Sequence, residues 1–277
     1  MPPGACGQAE PVTFAARLRA NQDTFGPVCV GADPHASILE AWGLPDSPAG
    51  LATFSEIFTE AFAGCVASIK PQVAFFERHG SKGLAVLETM IGAFREAGTL
   101  VIADAKRGDI GSTMMGYAQA WLGDGPLGSD AVTLSPYLGV GALAPALEMA
   151  GENDRGVFVL GVTSNPEGAS IQGAGSPAVG QLVLDELGEW NDRIWPGQTG
   201  SIGAVIGATA GQRLADWGVS VDSLHGMILA PGVGAQGATV AQAQALAGTN
   251  LLCIPLSRAI LSAGPDVARL KDSHSSW

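Results

Sequence analysis

Between Val101 and Thr113 the chain reads Val-Ile-Ala-Asp-Ala-Lys-Arg-Gly-Asp-Ile-Gly-Ser-Thr, placing two charges inside an otherwise apolar run. Val101, Ile102, Ala103 and Ala105 have the character of a strand buried on both faces, which Asp104 and Lys106 interrupt. Side chains alternate along a strand, so positions 104 and 106 share a face, about 6.6 Å apart. Burying an ion costs several kcal/mol unless it is paired. A lone Asp-x-Lys is explained equally well by a bland ion pair at a strand end. Asp109 adds a second carboxylate where the strand should stop, and Gly108 and Gly111 frame a tight loop. The combination points to a charged catalytic cluster.

Such a cluster needs a scaffold that brings strand ends together. Short apolar runs alternate with helix-length segments along the 277 residues. Strands are expected at 28–33, 67–74, 99–106, 131–135, 156–163, 202–208, 226–230 and 251–256. Amphipathic helices are expected over 51–65, 81–97, 113–122, 139–150, 178–193, 210–217 and 239–247. Strands separated by helices pair in parallel through right-handed crossovers. Eight such units without a composition break predict an α/β fold, a single-domain (β/α)8 TIM barrel over 1–277, in preference to an open doubly wound sheet. The ordered core is expected over about 14–270, with 1–10 and 272–277 as loose ends. Two connections at strand C-terminal ends, the barrel face that carries active sites, are unusually long. One is 34–50, with Pro34, Pro45 and Pro48; the other is 164–177, polar, glycine-rich and suited to a lid.

Composition narrows the partners. The chain has 14 Lys+Arg against 26 Asp+Glu, a net charge of −12, and no Lys/Arg-rich run, which argues against nucleic acid. Gly, Pro or a charge breaks every apolar stretch before about 18 residues, so no membrane span is expected. The start, Met1 to Gln8, lacks the basic and apolar regions of a signal peptide, and a cytoplasmic location is expected. Cys6, Cys29, Cys65 and Cys253 form no C-x-x-C, and the last three lie in apolar runs as small core residues of a reducing compartment would. His35, His79, His225 and His274 show no zinc-binding spacing, so no metal is expected.

Charged and polar residues collect at the expected strand ends. Asp33 ends the first strand, Lys70 lies in the second, Asp104 and Lys106 in the third, and Ser164 follows the fifth. Strands one to three are neighbours in a barrel, so Lys70 should approach Asp104 and Lys106. An alternating Lys/Asp array favours the charged form of every member. After the seventh strand, Gly232, Gly234 and Gly237 spell G-x-G-x-x-G. A dinucleotide fingerprint expects its strand near the start of a βαβ unit and an acid about 20 positions on. The first acid after Gly237 is Asp266. The loop better suits a phosphate bound by backbone N–H groups, with the Gln236 amide and Arg258, after strand eight, as further donors.

With these residues in place the chain resembles the orotidine 5′-phosphate decarboxylases, their longer bacterial branch in particular. Asp104 to Thr113 matches that branch's D-x-K-R-G-D-I-G-x-T signature. Gly31-Ala-Asp-Pro34, Lys70-Pro71, Thr163-Ser-Asn-Pro166, Pro231 to Gly237 and Ser257-Arg258 follow in the expected order, the likeness running from about Phe14 to Leu270. The resemblance implies conversion of orotidine 5′-monophosphate to uridine 5′-monophosphate and CO2, with no metal or organic cofactor, in a homodimer with shared active sites. It also implies a role for each matching residue. Asp33 and Lys70 hold the ribose hydroxyls, Asp104 sits beside the scissile carboxylate, and Lys106 stabilises the C6 carbanion and protonates it. Asp109 and Thr113 reach into the partner's site, Ser164 contacts the pyrimidine edge, and Gln236 and Arg258 bind the phosphate. Shorter members carry Gly before the phosphate arginine; here the residue is Ser257, which stays outside the candidate set.

That chemistry accounts for the residue types. The carbanion left at C6 is an sp² centre that the ring cannot delocalise, so fixed positive charge must meet it in a site closed to water. Two other functions compete. A related barrel decarboxylase or aldolase acting on a sugar phosphate would use magnesium and an acid on the second strand, where this chain has Lys70 and no acid until Glu77. A non-catalytic nucleotide-phosphate sensor could dispense with Lys70 and Lys106, and both are present.

Overall fold

The computed structural model describes residues 12–277, so Cys6 and the expected loose end at 1–10 lie outside the described residues. Eight parallel strands close into one barrel in sequence order: β1 (Val28–Ala32), β2 (Ser68–Pro71), β3 (Leu100–Arg107), β4 (Ala131–Leu134), β5 (Gly156–Val162), β6 (Ile202–Ile206), β7 (Met227–Leu229) and β8 (Leu251–Leu256). The strand β8 pairs back onto β1. Every expected strand is present within a few residues, and the single-domain (β/α)8 barrel is the observed architecture.

Thirteen α-helices are interleaved among the described residues: α1 (Phe14–Phe25), α2 (Ala36–Ala41), α3 (Pro48–Phe62), α4 (Ala74–Glu77), α5 (Gly80–Glu96), α6 (Gly111–Leu122), α7 (Ala144–Glu152), α8 (Ala169–Gln172), α9 (Val179–Ile194), α10 (Gly211–Trp217), α11 (Val240–Ala247), α12 (Arg258–Leu261) and α13 (Val267–Ser275). The connection 34–50 is therefore less a loop than a helical excursion, with α2 in its middle and Pro48 opening α3. The connection 164–177 holds a 3-10 turn and α8, tied down where Gln172 Oε1 accepts the Thr163 amide at 2.9 Å and Arg213 donates to the carbonyls of Thr163 and Asn165. Residues 272–275 complete α13 instead of trailing as a loose end, because Asp266 caps that helix and Leu270 buries it.

Strand alternation splits the core in two. Along β3, Val101, Ala103 and Ala105 face the surrounding helices, whereas Leu100 and Ile102 face the barrel interior. Leu100, Ile102, Cys29, Phe158, Met227 and Cys253 fill the lower interior. The polar inward positions 104 and 106 therefore fall above that plug, at the strand C-terminal end.

The lower opening is closed by α1, which the sequence pattern does not reveal because only Phe14, Ala15 and Leu18 of its twelve residues are buried. Phe14 enters the barrel and meets Phe158 edge-on, with ring centroids 6.3 Å apart. A Cβ on Gly156 would lie 2.3 Å from the Phe14 ring, so glycine is required there. Arg17 donates to Asp130, and Asn21 and Gln22 donate to the carbonyls of Ala67 and Leu252, fastening the helix to strand starts. Cys29 and Cys253 are buried as expected, but Cys65 is exposed. It sits in the turn between α3 and β2, just after Gly64 at φ 71°, where the apolar run leaves α3 before re-entering the sheet.

Candidate active site

The inward residues at the barrel's upper end meet as one ionic group. Lys70, from β2, places Nζ 2.7 Å from Oδ2 of Asp104, and Lys106 places Nζ 2.5 Å from Oδ1 of the same carboxylate. Asp33, just past β1, lies 3.9 Å from Lys70 Nζ. Lys70 and Asp104 are buried, whereas the Lys106 side chain is 44% exposed at the mouth. Two ammonium groups and two carboxylates thus alternate around the opening of a cavity of about 250 Å³.

Burial works against the charge on Asp104, yet Lys70 and Lys106 overcome it and hold the carboxyl well below the usual carboxylate range. Burial likewise opposes the charge on Lys70, and Asp104 with Asp33 reverses that effect and pushes the ammonium above its ordinary range. The Asp104–Lys70 pair is therefore fully ionised around neutrality.

The strand β3 is not regular where it carries this pair. Ala103 pairs with Val132 and Arg107 with Leu134, so residues 104–106 bulge opposite Thr133. Lys106 takes φ 48°, the left-handed region that non-glycine residues seldom occupy. Simple alternation correctly put positions 104 and 106 on one face, but the bulge and the turned backbone of Lys106 are what aim both side chains at one point. The Thr133 hydroxyl accepts the Lys106 amide at 2.9 Å and donates to Asp104 Oδ1 at 3.0 Å. Beyond the bulge, Arg107 pairs with Glu77 and lies 5.9 and 5.8 Å from the ring centres of Tyr117 and Trp121. Glu77, the nearest acid beyond the second strand, is thus engaged by Arg107, outside the cavity lining.

The cavity gathers Asp33, Lys70, Asp104 and Lys106 of the expected site, and adds Gln72, Thr133 and Ser257. The other five candidates stand off it. Asp109 caps its own neighbour, accepting the Ile110 amide at 2.8 Å, and Thr113 is exposed on α6. Ser164 packs beside Gly207, where a Cβ would meet its backbone nitrogen at 2.9 Å. Gln236 and Arg258 are exposed on the rim. The glycine loop departs from expectation in one respect. The amides of Gly234, Ala235, Gln236 and Gly237 bond to carbonyls of Ala238, Val233, Gly232 and Gly234, so they are consumed by the loop's own turns. Those four amides are therefore not turned outward as the sequence suggests.

Gln72 and Thr133 are absent from the sequence reading, whereas Ser257 is noted there and set outside the candidate set. Thr133 carries a visible signal, a hydroxyl at an inward position of a strand otherwise apolar, but nothing local ties it to position 106. Ser257 Oγ and Asp33 Oδ1 are buried in the cavity wall without a hydrogen-bond partner. A Cβ on Gly31 would lie 2.7 Å from that of Ser257, so the bare backbone of β1 makes room for the serine. A larger groove, of about 640 Å³, lies between α10 and α11 and has no charged side chain in its lining.

Relatives place this geometry. An orotidine 5′-phosphate decarboxylase of Corynebacterium efficiens is 50% identical over 266 residues, covering 94% of this chain and 93% of its own. Its counterpart in Salinispora tropica is 50% identical over 265 residues, with 94% and 93% covered. A crystal structure of a Streptomyces avermitilis protein assigned the same activity superposes with a TM-score of 0.89 at 46% identity, covering 99% of this chain and 96% of that one. The profile of the orotidine 5′-phosphate decarboxylase / HUMPS family matches residues 26–272. With a charged array at the mouth of a closed barrel and half its residues shared with these enzymes, the chain belongs to the orotidine 5′-phosphate decarboxylase / HUMPS family.

Proposed function

We propose that this chain decarboxylates orotidine 5′-monophosphate to uridine 5′-monophosphate. The observation that carries the reading is the Lys70–Asp104–Lys106 array, with ammonium nitrogens 2.7 and 2.5 Å from one buried carboxylate and only Lys106 substantially exposed. In the reaction the bond from C6 to the carboxylate breaks, CO2 leaves, and the electron pair stays on C6. The Lys106 ammonium lies where that charge develops; it stabilises the carbanion and then transfers a proton to C6, and solvent reprotonates the amine. Asp104, kept ionised by its two lysines, faces the departing carboxylate and holds the Lys106 ammonium in register.

The remaining roles are those that the family resemblance implies. Asp33, with an unpartnered buried oxygen, and Lys70 hold the ribose hydroxyls. Ser164 meets the pyrimidine edge, and Arg258 and Gln236 bind the phosphate from the rim. Binding energy from the phosphate, far from C6, is available to order the loops around the reacting end.

Asp109 and Thr113 serve the neighbouring subunit of a homodimer. Ile110, Met115, Tyr137 and Leu138 are exposed apolar side chains on the segments after β3 and β4, flanking the site. An apolar face of this kind suits an isologous dimer contact. Free Cys29, Cys65 and Cys253 suit a reducing cytoplasm. No described helix is long and apolar enough to cross a membrane.

The test is release of CO2 from orotidine 5′-monophosphate by the purified chain, followed together with formation of uridine 5′-monophosphate. Turnover that disappears in Lys106→Ala is expected. Absence of turnover in the folded wild-type protein would reject the assignment.

A further inference from the structure

We propose that Thr133 is a positioning residue of this site, holding Lys106 in the backbone conformation from which its ammonium reaches substrate. The proposal rests on the reading of Lys106 as the proton donor. Three residues of β3, 104–106, stand opposite Thr133 alone, and regular pairing with β4 resumes only at Arg107 and Leu134. A bulge of this kind leaves backbone groups without their ladder partners. The Lys106 amide is satisfied by the Thr133 hydroxyl, at 2.9 Å, in place of a strand carbonyl.

The single hydroxyl proton is then directed to Asp104 Oδ1, at 3.0 Å. Lys106 Nζ reaches the same oxygen, at 2.5 Å. A closed ring results, running from the Lys106 amide through Thr133 and Asp104 to the Lys106 ammonium. Both ends of the lysine are referred to one carboxylate oxygen. The ring also offsets the strain of φ 48° at a non-glycine residue. When the ammonium gives its proton to C6, Asp104 Oδ1 still accepts from Thr133. Thr133 is 1% exposed on a central strand, so its hydroxyl has no solvent to bond instead.

Thr133→Val keeps the shape and branching of the side chain and removes both bonds; Thr133→Ser keeps the hydroxyl. The expected result is a fall in kcat of about 10- to 100-fold for Thr133→Val, as for a lost hydrogen bond to a charged group. KM and the Kd for uridine 5′-monophosphate should move less than about threefold, because the donors to ribose and phosphate are untouched. Thr133→Ser should recover kcat to within about threefold of wild type. If Thr133→Val fails to fold, Thr133→Ala against Thr133→Ser is compared by the same criterion. Wild-type kcat in Thr133→Val, or a serine variant as impaired as the hydroxyl-free one, overturns the proposal. Lys106→Ala is measured alongside: turnover surviving in it rejects the proton-donor reading itself, whereas its loss beside a fully active Thr133→Val rejects only the role of Thr133.

Discussion

Lys70 and Asp104 form a buried ion pair across adjacent strands, Nζ to Oδ2 at 2.7 Å, and the carboxylate's other oxygen is occupied by Lys106. Asp104 is thus shared between a lysine enclosed in the barrel and one that opens on the cavity. The enclosed lysine sets the carboxylate in place, and the open one is free to do chemistry. The pair is held together against desolvation, so removing one partner strands the other.

Asp104→Asn should be less stable than wild type by roughly 3–5 kcal/mol at pH 7, the loss expected when a buried charge loses its partner. The sign with pH follows from the shifts. Asp104 has a depressed carboxyl pKa, so its contribution is present above the unfolded value of about 3.9 and fades as pH falls toward the folded one. Lys70 is raised, so its contribution is present below about 10.4 and is lost as pH climbs toward its folded value. Denaturant melts at pH 7 and at successively lower pH should show the gap narrowing below about pH 4. A gap that stays constant into acid contradicts the ion-pair account.

Lys106→Ala should abolish turnover, by at least about 100-fold for a group that both stabilises charge and donates the proton. The protein should remain folded, because the Lys106 side chain is 44% exposed and carries no core packing. Binding of uridine 5′-monophosphate, measured calorimetrically, should persist. Retention of more than about one per cent of wild-type turnover would contradict the assignment.

Arg258→Ala should weaken binding of phosphorylated substrate strongly, since a charge-assisted contact is lost. With the amides of Gly234, Ala235, Gln236 and Gly237 consumed inside their own loop, little else on that side offers a donor as strong. The slow reaction of the phosphate-free nucleoside should barely change. Equal losses on both substrates would remove the phosphate from this position.

The legible and illegible parts of this molecule differ for physical reasons. The eight strands could be read because each is an apolar run bounded by turns, and burial on both faces demands such runs. The inward array was readable too, because a charge in a buried strand must be paired, and barrel order names the neighbours. The bulge at 104–106 was not, since register is a property of two strands and leaves no mark on one. The helix α1 escaped because its worth lies in one phenylalanine inside the barrel, not in an amphipathic stripe. Cys65 shows the reverse error, an apolar neighbourhood in sequence that is a turn at the surface. Thr113 rests on resemblance alone; Asp109, Ser164, Gln236 and Arg258 are legible as strand-end and loop residues, but the chain by itself gives no geometric reason to draw the five together.

Asp109 supplies the sharpest test of the dimer. It lies two residues beyond β3 in the loop leading to α6, and outside the cavity that Asp104 and Lys106 line. Its carboxylate turns to the Ile110 amide, while Ile110 itself is 61% exposed beside it. An aspartate serving its own pocket would be drawn toward Lys70 or Lys106; this one turns instead to the amide of exposed Ile110. In a two-fold dimer the exchange is reciprocal, giving two composite sites. Lys106→Ala and Asp109→Asn should each be inactive alone. Mixed and allowed to exchange subunits, they should regain activity, because each mixed dimer then holds one doubly damaged site and one intact site. Random reassortment of equal amounts makes half the dimers mixed, so about a quarter of wild-type activity should return, one intact site in four. If Asp109 acts within its own subunit, both sites of a mixed dimer stay damaged. Mixed dimers shown to form by mass spectrometry, yet inactive, would refute the shared site.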